Sequence, residues 1–136
     1  MSYTFPITKE MACAKSMLSI SRKHAEFVAR SVNRKPYVKA KKILQDLVDE
    51  KKSLLVSGKF HTKSAKRILE LVNVLEANAK ARNLPYEKMK LYISVSKGPA
   101  MYRLRTKQMY GKKLKACNVH AVLKGVVNDT RKKVRK

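Results

Sequence analysis

The sequence predicts an α+β domain, with a small antiparallel three-stranded sheet packed on three helices and a long basic β-hairpin extending from it. Three observations predict this. Apolar residues recur at helical spacing in three stretches between Arg22 and Arg82. Alternating apolar stretches flank residues 97–120 on both sides. Between those flanks, KGPAMYRLRTKQMYGKKLKACNVH carries Lys97, Arg103, Arg105, Lys107, Lys112, Lys113 and Lys115 without one acid.

Residues 1–11 read as an irregular N-terminal arm, and Ala12 to Ile20 as a first short strand of imperfect alternation. Ser21 is placed to cap the next helix, its hydroxyl accepting from the free amides of the first turn. Ala25, Val28, Ala29 and Val32 then fall on one face of a helix from about Arg22 to Val32. Pro36 disfavours helical geometry at Lys35 and suits the first turn of a second helix, about Tyr37 to Lys51. That helix should bury Ala40, Ile43, Leu44, Leu47 and Val48. After a break around Ser57-Gly58, Thr62 is the expected N-cap of the longest helix, about Lys63 to Arg82. Its apolar stripe is Ala65, Ile68, Leu69, Val72, Leu75 and Ala79, widened by Leu71 and Val74. Asn83-Leu84-Pro85 ends it. A strand with Leu91, Ile93 and Val95 on one face follows, and Val119, Ala121 and Leu123 mark the last strand. If the segment between them is an extended hairpin with Gly111 at its turn, arms of about ten residues reach on the order of 30 Å. The domain is read as residues 12–127, with the hairpin at 98–120 and a basic tail at 128–136.

The net charge of +24, from 33 basic and 9 acidic residues, exceeds what solubility needs and predicts affinity for polyanions. It is unevenly spread, since eight of the nine acids lie between Glu10 and Glu87. An isolated two-stranded ribbon is marginal in water, and its like charges repel, so a phosphate-rich partner is its natural complement. The bland alternative is a solvated basic loop without a partner. Tyr102 and Tyr110 suit stacking on unpaired bases; packing across the ribbon against Leu104 or Leu114 is the competing reading. Arg22, Lys23, Arg34, Lys35 and Lys63 form a second group at or near helix starts, where free amides and the positive end of the dipole favour phosphate.

Chemistry beyond binding is not expected. His24, His61 and His120 each lack a neighbouring carboxylate at useful spacing, and no nucleophile elbow, zinc-protease or nucleotide-loop motif occurs. Cys117 and His120, three apart on a strand, should project to opposite faces. Cys13 and Cys117 have neither metal-ligand nor disulfide spacing, so no cofactor or metal is expected, and free thiols favour a reducing cytoplasm. The start lacks the apolar core of a signal peptide, and no run approaches the about 20 apolar residues of a membrane span.

Five segments in order carry a resemblance. They are ISRKHAEFVAR (Ile20 to Arg30), GKFHTKSAKRIL (Gly58 to Leu69), LEANAKARNL (Leu75 to Leu84), the KGP that opens the hairpin, and the closing VHAVL. The chain thereby resembles the large-subunit ribosomal protein family numbered L twenty-two in bacteria and L seventeen in eukaryotes. The G-K-F-H form and the YTFPITKE opening are similar to its archaeal and eukaryotic branch. The resemblance covers about Tyr3 to Val126 and implies a body near the exit of the nascent-peptide tunnel, with a hairpin that lines the tunnel wall. It implies as partners the large-subunit ribosomal RNA, neighbouring ribosomal proteins and the nascent peptide, in the cytoplasm. Arg103, Arg105, Lys107, Lys112, Lys113 and Lys115 would stand at hairpin positions that touch RNA, with Gly111 near the tip. Departures from the family pattern are a short KKSLLVSGKF between the second and third helices, no proline at His61-Thr62-Lys63, and a hairpin less rich in arginine. The competing reading is a DNA-binding or chromatin-type protein, though no helix-turn-helix or zinc module is visible. An RNA-processing enzyme would need a general base beside the arm, where the sequence has no acid.

Overall fold

The computed structural model describes residues 6–105 and 108–125. The elements run β1 (Ala12–Leu18), α1 (Arg22–Val32), α2 (Tyr37–Val48), α3 (Thr62–Ala81), a 3-10 turn (Tyr86–Lys88), β2 (Lys90–Lys97), β3 (Met101–Tyr102), β4 (Lys113–Leu114) and β5 (Cys117–Lys124). The α+β class, three helices on a three-stranded antiparallel sheet, is what the patterning predicts.

The sheet order is β1-β5-β2, with both pairings antiparallel. The last strand in sequence is therefore central. Val122 sits between Cys13 and Tyr92, and Ala121 between Ala14 and Ile93. Alternation puts Cys117, Val119, Ala121 and Leu123 on the face that joins the core with Ala12, Ala14, Leu91 and Ile93. The outer edge of β2 is partly covered by the α1–α2 connection. Arg34 N–H donates to Leu91 O (2.8 Å), Leu91 N–H to Lys35 O (2.9 Å) and Tyr37 N–H to Met89 O (3.0 Å). Arg34 takes φ 64 to make that turn, so the segment read as a simple helix break also satisfies an otherwise open strand edge.

The helices lie on the core face. α3 packs on α2, β1, α1 and β5, and α1 packs on β2. Ala65, Ile68, Leu71, Val72, Leu75 and Ala79 of α3 are buried, whereas Val74, expected to widen the stripe, is exposed. In α2 the buried set is Tyr37, Ala40, Leu44 and Leu47, with Ile43 and Val48 partly buried. This helix ends at Val48 rather than Lys51, because Glu50 turns left-handed at φ 57.

Two caps differ from expectation. Ser21 does occupy the N-cap of α1 in extended geometry, but its side chain makes no capping bond. At α3 the N-cap is His61 in left-handed geometry, and Thr62 is already helical, its hydroxyl donating to Glu50 Oε1 (3.1 Å). The end of α3 is closed by Asn83 at φ 53. Asn83 N–H donates to Lys80 O (2.9 Å) and Leu84 N–H to Ala79 O (3.0 Å), satisfying the last carbonyls while Leu84 packs on the core.

One polar hub ties α2 to α3. Glu76 accepts from Tyr37 Oη (2.5 Å), Lys41 Nζ (2.7 Å) and Lys80 Nζ (2.8 Å). Lys41, then Lys80 and Tyr37, hold the Glu76 carboxyl down at about 2, while burial and Glu76 push the Tyr37 phenol up. The base of the arm is equally constrained. Gly98 N–H donates to Ala116 O (3.3 Å), and a Cβ at Gly98 would meet the Ala116 carbonyl carbon at 2.7 Å and oxygen at 2.8 Å.

Replacing Glu76 with Gln is expected to cost about 1–2 kcal/mol, discounted for the solvent exposure of its lysine partners. A carboxyl held below its ordinary 4.5 stabilises the fold fully above that pH and loses the contribution as pH falls toward 2. Urea melts of parent and Glu76→Gln should therefore converge through that window. Gly98→Ala should cost about 1–3 kcal/mol because backbone must move, while Gly125→Ala should change stability by under about 0.5 kcal/mol. Nothing lies within 4 Å of an added Cβ at Gly125, so equal losses for the two variants would contradict the close approach.

Candidate nucleic-acid interface

Lys97 and Cys117 are the last paired residues of the central ladder, and the arm leaves and returns between them. Pro99 has no N–H to donate, so the ladder breaks there and resumes only as Met101↔Leu114 and Tyr102↔Lys113. Arg103 N–H to Lys112 O (3.0 Å) extends this short ribbon by one bond. The long continuous hairpin expected from the sequence is thus seen as a two-residue ladder. A turn over residues 108–111 is closed by Lys112 N–H to Met109 O (3.2 Å), with Gly111 at φ 71.

Every described residue from Pro99 to Lys115 is exposed. Six of the twelve exposed large apolar or aromatic residues among those described lie there: Met101, Tyr102, Leu104, Met109, Tyr110 and Leu114. Tyr102 and Tyr110 are 56% and 73% exposed, so neither is packed across the ribbon, and the residue opposite Tyr102 is Lys113. The arm presents aromatic faces and cations together, with Arg103, Arg105, Lys112, Lys113 and Lys115 all in solvent. Lys107 lies outside the described residues.

At the root of the arm a cleft of about 550 Å³ is bordered from the body by Ser19, Ile20, Ser21, Lys63 and Ser64. Met101, Arg103, Lys113, Leu114, Lys115 and Ala116 border it from the arm. Tertiary structure therefore joins Lys63, from the start of α3, to three arm cations. Arg22 and Lys23 stand in the first turn of α1 beside Ser21, and Arg22 pairs with Glu26 at 3.3 Å. Ser21 is read from the sequence only as a helix cap, and Ser64 is not singled out there. A place at a helix start is the one signal for such a residue, and that signal is common.

Arg34 and Lys35 are not brought to this cleft. They flank the opposite end of β2, beside Leu91, and Lys35 borders a separate groove with Asp46, Lys51, Leu54 and Leu55. Lys97 is exposed at the arm's base, its carbonyl accepting from Asn118 Nδ2 (3.2 Å).

The histidines do acquire company, but of the wrong kind for general-base work. His24 and His61 stack with centroids 4.5 Å apart, Phe27 lies 5.8 Å from His61, and His61 Nε2 is 2.9 Å from Ser57 Oγ. Burial, then the proximity of His24 and Lys59, push the His61 imidazole down. A serine–histidine pair with cationic rather than anionic neighbours lacks the carboxylate that orients and charges a catalytic imidazole. Cys117 is buried, and burial pushes its thiol up, away from the reactive thiolate. Among the described residues no three His, Cys, Asp or Glu side chains gather to hold a metal, and no helix is long and apolar enough to cross a membrane.

Comparison with known proteins places the sequence in a family. The chain is similar to the large ribosomal subunit protein uL22 of Archaeoglobus fulgidus, 28% identical over 108 residues, covering 65% of this chain and 70% of that protein. It is 29% identical over 104 residues to the protein of the same name from Methanocaldococcus jannaschii, covering 63% and 67%. The counterpart from Methanocella arvoryzae is 29% identical over 109 residues, covering 68% and 71%. The family described as ribosomal protein L22p/L17e matches residues 13–124, from the second residue of β1 to the last of β5. The chain belongs to the ribosomal protein L22p/L17e family.

Proposed function

We propose that this chain is a structural component of the large ribosomal subunit in the cytoplasm. In this reading it binds ribosomal RNA through its arm and helix starts and lines the nascent-peptide exit tunnel with the arm. The carrying observation is the arm itself, which has cations and aromatic rings, no acid, and every described residue from Pro99 to Lys115 exposed. Such a surface gains little from its own body. Phosphates would neutralise it with release of counterions, and unstacked bases would cover its rings.

The roles follow from position. Arg103, Arg105, Lys112, Lys113 and Lys115 track phosphates along the arm, joined by Lys97 at its base and by Lys107. Tyr102 and Tyr110 stack on bases. Arg22, Lys23 and Lys63 dock the body at the arm root, and Arg34 and Lys35 dock it at the far end of the sheet. Gly111 permits the left-handed turn near the tip. The domain spans 12–127, with an N-terminal arm at 1–11 and a basic tail at 128–136; residues 1–5 and 126–136 lie outside the described residues. The mechanism is electrostatic and geometric, and the protein performs no chemistry of its own.

The test is sedimentation of tagged protein through a sucrose gradient of its own cell lysate, at moderate and then high salt. Co-migration with the large subunit that survives high salt is expected, because a threaded arm is held by shape as well as charge. Combined Arg103→Gln, Arg105→Gln, Lys112→Gln and Lys113→Gln should move the protein to light fractions as salt rises. Parent protein found in light fractions, or with DNA, would refute the reading.

A further inference from the structure

The loop between α2 and α3 holds an apolar tip beside an apolar groove. Leu54 is buried, and its carbonyl accepts from Ser57 N–H (3.3 Å) and Gly58 N–H (2.7 Å). Its own N–H donates to Lys59 O (3.2 Å), so the turn is closed on both sides. Leu55 and Val56 stand at its tip, the first fully exposed and the second 66% exposed. Tips of turns favour Gly, Asn, Asp and Ser, so an apolar pair held in solvent calls for a partner. Beside the pair lies a groove of about 630 Å³, lined by Ile43, Leu47 and Leu54 together with the tip itself. Lys35, Lys51 and Lys52 stand on its border against one acid, Asp46. Lys51 pairs with Asp49 at 3.0 Å, while Lys35 and Lys52 form no ion pair among the described residues. The groove shares no residue with the cleft at the arm root.

We propose that this groove and the Leu55-Val56 tip dock an acidic, amphipathic segment of another protein. Its apolar side chains lie against Ile43, Leu47, Leu55 and Val56, and its carboxylates face Lys35 and Lys52. The other occupants fit less well. Nucleic acid gains little here, because no aromatic ring lines the groove and aliphatic side chains offer bases no stacking face. A second copy would turn the same lysines on themselves and join two chains of net charge +24. The chain's own residues 128–136 would bring six cations and one acid to a border already rich in lysine, and residues 1–5 carry no acid. A foreign acidic segment meets both demands, burying the apolar pair and complementing the border. The closed turn already holds the tip in place, so little ordering is spent on binding. The inference goes beyond the RNA-binding reading and does not depend on it.

The test has two arms on the full chain. In cells, Leu55 is replaced by the photo-reactive amino acid p-benzoylphenylalanine, and the adduct formed on irradiation is identified by mass spectrometry. A peptide of another protein with acids flanking the cross-linked apolar residue is expected, and Lys52→Glu should deplete that adduct. An adduct with RNA, an adduct with a second copy of this chain, or no adduct overturns the proposal. In vitro, the isotope-labelled chain is titrated at physiological salt with three synthetic helical peptides. One has leucine on one face and glutamate on the other, one has lysine in place of glutamate, and one has serine in place of leucine. Saturable NMR shifts at Ile43, Leu47, Leu54, Leu55 and Val56 are expected with the leucine–glutamate peptide alone. Combined Leu55→Ser and Val56→Ser should weaken that binding by about tenfold without lowering the melting temperature, since both side chains are exposed. Val74→Ser, at an exposed apolar residue of α3 away from the groove, should leave it unchanged. Equal binding of the serine–glutamate or the leucine–lysine peptide overturns the proposal, because charge or apolar contact alone would then suffice. Neither arm requires the chain to sediment with the large subunit, so this proposal and the ribosomal reading fail separately.

Discussion

The fold depends on β5 reaching the middle of the sheet. β1 and β2 do not pair with each other, and each finds its ladder only in β5. Until the last strand arrives, the inner backbone edges of both lack partners, a cost few buried segments tolerate. The core needs it too, because Cys117, Val119, Ala121 and Leu123 supply the middle of the apolar face that α3 covers. Closing the sheet thus joins residues far apart in sequence, and the entropy of that closure must be met before packing returns it.

This topology also places the arm. Its two ends are Lys97 and Cys117, the last pair of the β2–β5 ladder, so the arm springs directly from the central strand and its neighbour. Gly98 lets the two chains approach closely there, and Pro99 then stops the ladder. The root is anchored while the outer arm stays exposed. A constrained base thus carries an exposed, cationic, aromatic extension that does not pack on its own body.

Charge is partitioned to match. Four acids of the body form local ion pairs: Glu76 with Lys41 and Lys80, Glu26 with Arg22, Glu70 with Arg67, Asp49 with Lys51. Most of these pairs are exposed and contribute little to stability individually. They pair a few of the body's cations, while the arm has no acid with which to pair its own.

The sequence by itself determined the three helices, the strands and the chemical character of the arm, because these are local properties. Helical spacing of Ala65, Ile68, Val72, Leu75 and Ala79 can bury only one face, and an acid-free run of cations remains cationic in any fold. It also determined the family, through segments whose order survives without any contact being known. Local reasoning failed where a distant residue intervened. Thr62 looks like a cap but gives its hydroxyl to Glu50, and His61 takes the cap in left-handed geometry instead. Ser21 holds the cap position without making the bond. Alternation marks three strands but does not say which is central, since β1-β5-β2 and the other orders bury the same residues by the same period. Only the tertiary structure decided that order. It alone brought Ser21, Lys63 and Ser64 against Arg103, Lys113 and Lys115, because a cleft between body and arm exists only after long-range pairing has fixed where the arm begins.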